Sequence, residues 1–226
     1  MKISIIIPAK NEEETIGEVI AKAKNYGDEV LVVDGHSTDR TREIAQELGA
    51  KVILDNKISK GDGYKCGVKE AKGDIIVFID ADGSHEPADI PKLVQPIIEE
   101  QADLVVASRM LGGSEELHGT WDNFIRNTGS NLLVVFVNKK WKTNLTDIEN
   151  GFRAIKKSVF LDLNLKRNDF VIEQEMVFNA LKKGYRVKEA VSHEFSRKGG
   201  RSKLKTSQGF KFIWHFIVSL YWPWTK

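Results

Sequence analysis

The sequence predicts a single α/β domain with a mostly parallel central sheet flanked by helices. Five short runs rich in β-branched residues recur through the first 110 residues, and stretches of helical period separate them, as in repeated βαβ units. The 226 residues, 41% of them hydrophobic, contain no internal repeat and no Pro/Ser-rich linker, so we expect one continuous core. The predicted strands are Ile3–Ile7, Glu29–Val33, Lys51–Leu54, Ile75–Ile79 and Asp103–Ala107.

Helix start and stop signals lie between these strands. Asn11 and Glu14 have the spacing of a capping box, which predicts that the first helix begins there. A Ser-Thr-Asp triplet opens a second helix over 37–49, where a glycine ends it. Pro87 and a second proline four residues later fit the first turn of a helix over about 88–101.

The pattern changes after the fifth strand, where glycines interrupt the alternation of strands and helices. The predicted elements there are a Gly-rich loop at Leu111–Ser114, a helix over about Trp121–Lys139, a strand near Gly151–Ala154, a helix over Ile172–Lys183 and a strand at Arg186–Ala190. We therefore divide the predicted domain, residues 1–195, into a first half (1–110) and a second half (111–195). The second half is expected to complete a crevice that the first half begins.

Residues 196–226 form a basic, aromatic C-terminal segment. From Phe195 to Lys226 there are seven Lys or Arg residues and no Asp or Glu, although the net charge of the chain is only +2. That near balance argues against nucleic acid as a partner. As a helix, residues 210–222 would span roughly 20 Å, less than the roughly 30 Å of a bilayer core. We expect an amphipathic helix that packs on the domain or, as we favour, lies on an anionic membrane surface.

The sequence also indicates the cellular compartment in which we expect the protein. A single cysteine, Cys66, leaves no internal disulfide, and the chain opens on a strand without the pattern of a signal peptide. We therefore expect a cytoplasmic protein, peripheral at the inner face of the cell membrane.

Carboxylates follow two of the predicted strands. Asp80-Ala81-Asp82 comes directly after the fourth strand, and Asp34 ends the second. Because the carboxyl ends of parallel strands border the ligand crevice of an open sheet, hard oxygen ligands there suit Mg²⁺ or Mn²⁺ on a phosphorylated substrate. The plainer alternative is a turn at 82–83 with Asp80 as a cap. The first strand runs into Pro-Ala-Lys-Asn and no G-K-[ST] follows any strand, so neither common nucleotide-binding fingerprint applies.

Four motifs in the first half resemble family 2 glycosyltransferases of the GT-A fold. They are Ile-Ile-Pro-Ala-Lys-Asn-Glu at 6–12, Val-Val-Asp-Gly-His-Ser-Thr-Asp at 32–39, Lys-Gly-x-Gly at 60–63 and Asp-Ala-Asp at 80–82. The resemblance implies a Rossmann-like domain in which 1–110 is the nucleotide-sugar half and 111–195 the acceptor half.

Motifs of the second half are similar to the dolichol-phosphate mannose synthase group and its polyprenyl-phosphate sugar transferase relatives. These motifs are Ala-Ser-Arg at 107–109, Arg126, Asp-x-x-Asn-Gly-Phe-Arg at 147–153, Phe-x-Ile-Glu-x-Glu at 170–175, and the basic stretch 197–204. The resemblance narrows the expected acceptor to a lipid phosphate.

By this resemblance a nucleoside diphosphate sugar binds in the first half. The implied donor-binding residues are Pro8, Ala9, Glu12, Asp34, Lys60, Asp80, Ala81 and Asp82. A divalent cation, Mg²⁺ or Mn²⁺, would bridge the two donor phosphates. Its implied ligands are Asp82 first, then Asp80, with Ser84 at a position where lipid-phosphate relatives often have Gln.

The resemblance also implies cationic residues that handle the acceptor or donor phosphate. They are Arg109, Arg126, Arg197 and Lys203, for which the alternative is a solvated basic surface. The implied catalytic set is Asp82, Arg109, Arg126 and Glu175. Glu173 and Glu175 would either accept a proton from a hydroxyl acceptor or orient the cations of the site.

The predicted function is inverting, metal-dependent transfer of a hexose, mannose or glucose, from a GDP- or UDP-sugar to a polyprenyl or dolichyl-type phosphate. One alternative keeps the fold but uses a soluble acceptor such as a sugar-phosphate or phosphoglycerate. A second alternative is a non-catalytic protein that binds nucleotide sugars.

Overall fold

The computed structural model describes residues 1–115 and 133–198. Their strands form one seven-stranded sheet in the order β3-β2-β1-β4-β6-β5-β7. The strands are β1 Ile3–Ala9, β2 Glu29–Asp34, β3 Lys51–Leu54, β4 Ile75–Phe78, β5 Leu104–Ser108, β6 Arg153–Lys156 and β7 Val187–Val191. The predicted segment 210–222, most of the predicted helix over 121–139, Arg126 and Lys203 lie outside the described residues.

Helices cover both faces of the sheet. They are α1 Ile16–Ala23, α2 Thr41–Glu47, α3 Lys60–Glu70, α4 Ile90–Ile98, α5 Arg109–Gly112, α6 at residues 133–141, α7 Lys157–Asp162 and α8 Ile172–Lys182, with a 3₁₀ turn at Pro87–Asp89 before α4. Within the described ranges no helix is both long and apolar enough to cross a membrane.

The predicted α/β class is confirmed. The first four predicted strands pair in parallel, and β7 pairs in parallel with β5. The exception is β6, which lies antiparallel between β4 and β5. Side chains of β1 alternate between two cores, with Ile6 in one and Ile5 and Ile7 in the other, because successive residues of a strand point to opposite faces. Burial on both faces explains why these strands read as continuous apolar runs.

The predicted capping box at Asn11 is wrong. The first helix begins only at Ile16, and Asn11 adopts a left-handed conformation with φ of 54°. Its side-chain oxygen accepts a hydrogen bond from the Thr38 backbone N–H at 2.8 Å, and the Ser37 hydroxyl accepts one from the Asn11 N–H at 2.9 Å. These bonds join the loops after β1 and β2, so the residues that resembled helix caps are used in tertiary contacts. For the same reason α2 begins at Thr41 rather than at the Ser-Thr-Asp triplet.

Candidate active site

A cleft of about 370 Å³ lies at the carboxyl ends of the central strands, within the size range of small-molecule sites. Residues from both halves of the chain line it. Nine of the predicted site residues are among them: Pro8, Ala9, Glu12, Lys60, Asp80, Ala81, Asp82, Arg109 and Arg197. The structure therefore brings together residues that the sequence placed on separate segments.

Asp34 lies behind the lining of the cleft rather than on it. Its side chain is fully buried, and its two carboxylate oxygens accept the Ser37 N–H at 3.2 and 3.0 Å. The Arg42 guanidinium approaches one of them at 3.3 Å. Asp34 thus shapes the loop after β2, and its direct contact with a ribose stays a prediction.

Lys60 lies between two carboxylates at the first turn of α3. Its Nζ is 2.7 Å from Asp80 Oδ1 and 2.8 Å from Glu173 Oε1, and the Tyr64 hydroxyl donates to the same Glu173 oxygen at 3.1 Å. Burial by itself lowers the pKa of Lys60, but the charges of Asp80 and Glu173 outweigh it and hold the pKa well above its usual range. Burial likewise opposes ionisation of Asp80, yet the Lys60 charge leaves the pKa of Asp80 lowered. Lys60 and Asp80 therefore form an ionised pair at neutral pH.

Gly151 leaves room for that cluster. A Cβ at this position would lie 2.8 Å from both Asp80 Oδ2 and Lys60 Nζ, and 3.0 Å from Glu173 Oε1. Any larger residue would therefore push on atoms that hold one another in place.

Asp82 is held by neighbours on both sides. Its Oδ1 accepts the Ser84 N–H at 3.1 Å and the Ser84 hydroxyl at 2.6 Å, while Arg197 Nη1 lies 3.3 Å from its Oδ2. The late segment that carries Arg197 is fastened to the same loop, because the Phe195 N–H donates to Ser84 O and the Lys198 N–H donates to Asp82 O. The Ser84 hydroxyl thus orients Asp82, and its role as a direct metal ligand stays a prediction.

The carboxylates of Asp80 and Asp82 fit a hard divalent cation, although not a site made of protein ligands alone. Among the described residues there is no group of three or more His, Cys, Asp or Glu side chains that could hold a metal ion. Mg²⁺ is commonly bound by one or two carboxylates together with substrate phosphates and water. The donor set at the end of β4 matches that arrangement.

Arg109 forms a second ionic cluster at the end of β5. Its Nε and Nη2 donate to the two oxygens of Asp147 at 2.6 and 3.0 Å, and its Nη1 lies 3.7 Å from Glu194 Oε1. Burial lowers the pKa of Arg109, but the charge of Asp147 reverses the effect and raises it. The guanidinium in turn lowers the pKa of Asp147 against the opposing effect of burial. The fork of Arg109 is thus fixed on one edge by Asp147.

Of the two glutamates in α8, the one that reaches the cleft is Glu173. Glu175 is buried, and its carboxylate accepts the backbone N–H groups of Lys166 and Arg167 at 2.8 to 3.1 Å. Residues two apart on a helix do not face the same side, so only one of the pair could line the cleft. Glu175 orders the loop before α8, and the catalytic role implied for it stays a prediction.

Several lining residues were not among the predicted site residues. They include His85, Glu149, Asn150, Phe170 and Glu194. His85 follows the carboxylate motif closely enough to have been found, and its ring packs 5.2 Å from that of Phe152. Glu194 reaches the site through a β-bridge to His85, and no motif in the sequence indicates it.

Similarity to known proteins identifies the family to which this chain belongs. The family model described as glycosyl transferase family 2 matches residues 4–163. The chain belongs to glycosyl transferase family 2. The predicted membership is thereby confirmed, and the carboxylates at the end of β4 and Arg109 all lie within the matched region.

Two relatives in this family come from archaea. A dolichol-phosphate mannosyltransferase of Pyrococcus furiosus is 32% identical over 232 residues, which cover 98% of this chain and 64% of the relative. Glycosyltransferase AglJ of Haloferax volcanii is 31% identical over 204 residues, 88% of this chain and 64% of the relative. The chain therefore spans about two thirds of the length of each of these relatives.

The fold also matches that of solved crystal structures. Glucosyl-3-phosphoglycerate synthase from Mycobacterium tuberculosis, crystallised with Mn²⁺, UDP-glucose and phosphoglyceric acid, is 20% identical with a TM-score of 0.74. The match covers 96% of this chain and 79% of that one. At this level of identity the likeness concerns the fold, and it confirms the GT-A architecture.

Proposed function

We propose that this family 2 glycosyltransferase moves a hexose, mannose or glucose, from a GDP- or UDP-sugar to a polyprenyl or dolichyl-type phosphate with inversion at the anomeric carbon. The observation that carries the proposal is the meeting of Asp80, Asp82 and Arg109 in one cleft. The mannosyltransferase relative from Pyrococcus furiosus supports the lipid phosphate as acceptor. We place the reaction at the cytoplasmic face of the membrane, with residues 196–226 at its surface.

The donor would bind along the side of the cleft that residues 1–110 form. Pro8, Ala9 and Glu12 line the part where the base and ribose would lie. Asp82, with Asp80 and in our prediction Ser84, would hold Mg²⁺ or Mn²⁺ on the donor diphosphate. The cation supplies charge neutralisation for the nucleoside diphosphate that leaves. Arg197, 3.3 Å from Asp82, is close enough to add a second positive charge there.

The acceptor would bind beside Arg109. An oxygen of its phosphate forms the new bond to the anomeric carbon while the bond from that carbon to the donor diphosphate breaks. Because a phosphate monoester is already ionised at neutral pH, the step requires positioning rather than a general base. Arg109 and Arg197, together with Arg126 and Lys203 as predicted, would supply that positioning. The catalytic role that the resemblance implies for Glu175 stays a prediction.

A donor and acceptor panel tests the proposal. Purified full-length protein is incubated with Mn²⁺ or Mg²⁺, labelled GDP-mannose or UDP-glucose, and either polyprenyl phosphate in vesicles or phosphoglycerate. We expect transfer to the lipid phosphate, with NMR showing the inverted anomer. Transfer to phosphoglycerate alone would replace the lipid with a soluble acceptor, and binding without transfer would indicate a non-catalytic protein.

Asp82→Asn tests the metal-binding role. Loss of this carboxylate should lower transfer by about 100-fold or more, since electrostatic stabilisation of the leaving group is a dominant contribution, and should remove the Mn²⁺ dependence of nucleotide binding. Asp162→Asn, an exposed carboxylate on α7, is the matched control and should behave as the parent protein. Full activity of the Asp82→Asn variant would contradict the mechanism.

A further inference from the structure

Glu189 of β7 is a carboxylate that the cleft does not contact. It is half-buried on a strand at the edge of the sheet, opposite Val106 of β5. Its Oε1 accepts the backbone N–H of Thr146 at 2.7 Å and that of Asp147 at 2.5 Å, and its Oε2 accepts the Thr146 hydroxyl at 3.0 Å. One side chain thus holds three donors of the loop before β6.

The first line of contacts runs from Glu189 to Arg109 through Asp147. Glu189 fixes the backbone of Asp147, and both oxygens of Asp147 accept from the Arg109 guanidinium. Asp147 Oδ1 also accepts the N–H of Glu149, a residue that lines the cleft. The orientation of the guanidinium therefore depends on where Glu189 holds this loop.

A second line of contacts reaches the backbone of Arg109. The Thr146 hydroxyl lies 2.6 Å from the hydroxyl of Ser108, a fully buried residue. Ser108 is the N-cap of α5, and its hydroxyl accepts the Leu111 N–H at 3.2 Å. Arg109 is the first residue of that helix. The two lines of contacts thereby connect Glu189 to the backbone of Arg109 and to its guanidinium.

We infer that Glu189 is a positioning residue that holds Arg109 in the orientation needed to bind an anionic substrate group. The inference rests on the proposed function only for the identity of that group, the acceptor phosphate. A guanidinium recognises phosphate by a planar fork, so small errors in its orientation weaken binding and slow the reaction. Burial raises the pKa of Glu189, while the backbone donors of Asp147 and Thr146 act against that rise.

Two substitutions at Glu189 and one elsewhere separate positioning from general stability. Glu189→Ala removes the acceptors for all three donors. Glu189→Gln keeps an oxygen for the two backbone N–H groups, and its amide can donate to the Thr146 hydroxyl. Asp103→Ala removes a different carboxylate, a buried one that binds Arg186 and Lys156 just before β5 begins.

Steady-state kinetics give the first readout, with polyprenyl phosphate in vesicles as acceptor. For Glu189→Ala we expect kcat/KM for the acceptor to fall by about 10- to 100-fold, while the Kd for UDP or GDP with Mn²⁺ stays within about twofold. Glu189→Gln should recover most of the loss. Asp103→Ala should lower Tm without changing the KM for the acceptor. Equal losses of nucleotide and acceptor binding in Glu189→Ala, or equal acceptor effects in Asp103→Ala, would overturn the inference.

The Arg109 guanidinium gives a second readout that requires no acceptor. Its Nε–H resonance, assigned by its absence in Arg109→Lys, should exchange slowly in the parent protein because Asp147 accepts that proton. We expect faster exchange in Glu189→Ala and slow exchange in Glu189→Gln. An unchanged exchange rate in Glu189→Ala overturns the positioning role. If the rate changes but no lipid phosphate is glycosylated, the positioning role holds and the proposed acceptor is wrong.

Discussion

The cleft contains two partly buried cations, Lys60 beside the end of β4 and Arg109 at the end of β5, and each lies between two carboxylates. The Lys60 ammonium is in close contact with both of its partners, at 2.7 and 2.8 Å. Arg109 contacts one partner through two nitrogens and lies 3.7 Å from the other. Their side chains are 12% and 22% exposed.

The difference follows from the shape of the two cations. A lysine ammonium is a compact charge, which two carboxylates can neutralise completely, whereas an arginine fork keeps donors along a second edge. Lys60 is therefore suited to hold Asp80 and Glu173 in place, and Arg109 is suited to receive a further anion. Burial and charge alone therefore do not distinguish a cation that supports the site from one that binds a substrate. What distinguishes them is the number of N–H donors that each cation has beyond those that its carboxylate partners accept.

Lys60→Met should have the largest effect on stability. Removing the cation leaves the buried Glu173 and the partly buried Asp80 without their partner. Breaking a fully buried ion pair in this way costs about 3–5 kcal/mol, which is the upper bound here. Urea denaturation measures the loss. Lys51→Met breaks an exposed pair with Glu70 and should cost at most about 1 kcal/mol. If both variants were equally stable, Lys60 would not be the supporting cation.

Arg109→Lys should have the largest effect on transfer and a smaller one on folding. Lysine keeps the positive charge near Asp147 but loses the fork, so transfer should fall by about 100-fold while the urea midpoint falls less than in Lys60→Met. Initial rates at saturating donor, with the urea midpoint of the same sample, measure both effects. A fully active Arg109→Lys variant would show that charge alone suffices at the end of β5.

Gly151→Ala disturbs the Lys60 cluster without changing any charge. The added methyl group would lie 2.8 Å from Asp80 and Lys60, and overpacking of this kind costs about 1–3 kcal/mol. We expect nucleotide binding to weaken, measured by calorimetry with Mn²⁺. Gly17→Ala on α1, where the new Cβ meets Ile44 only at 3.4 Å, is the control and should be neutral or slightly stabilising. Equal effects of the two alanine substitutions on nucleotide binding would exclude crowding at Gly151 as the cause.

Extremes of pH should also distinguish the two clusters, and the effects expected there are the smallest. The pKa of Asp80 and that of Asp147 are lowered, so their contributions are present above the ordinary value of about 3.9 and are lost as pH falls toward the folded-state pKa. The pKa of Lys60 is raised, so its contribution is present below about 10.4 and is lost as pH rises through the folded-state pKa. Arginine does not titrate in this range.

Of the two clusters, only that of Lys60 should therefore contribute to a loss of stability at alkaline pH. We expect the urea midpoint of the parent protein to fall above about pH 10.4, and Lys60→Met to lack the part of that fall due to Lys60. Both clusters should leave the midpoint flat between about pH 5 and 9. Parallel alkaline curves for the two proteins would contradict this assignment.

Much of the fold and part of the site could be predicted because their signals are local. Continuous apolar runs marked the first five strands, and the residues directly after them, Asp80, Asp82 and Arg109, line the cleft. The helix start at Asn11 could not be predicted, because a cap residue and a residue that joins two loops have the same chemistry. Glu173 was not separated from Glu175, since both lie in one helical turn and only packing decides which of them faces the cleft.

The sequence by itself determined the class of the fold, the family and the carboxylates at the end of β4, since each depends on residues adjacent along the chain. Only the tertiary structure decided which partners these residues have. Lys60 meets Glu173, Asp82 meets Arg197, and Glu189 reaches Arg109 through Asp147 across gaps of 38 residues or more. Such contacts depend on how helices and loops pack on the sheet, and no periodicity in the sequence encodes a distance between segments so far apart.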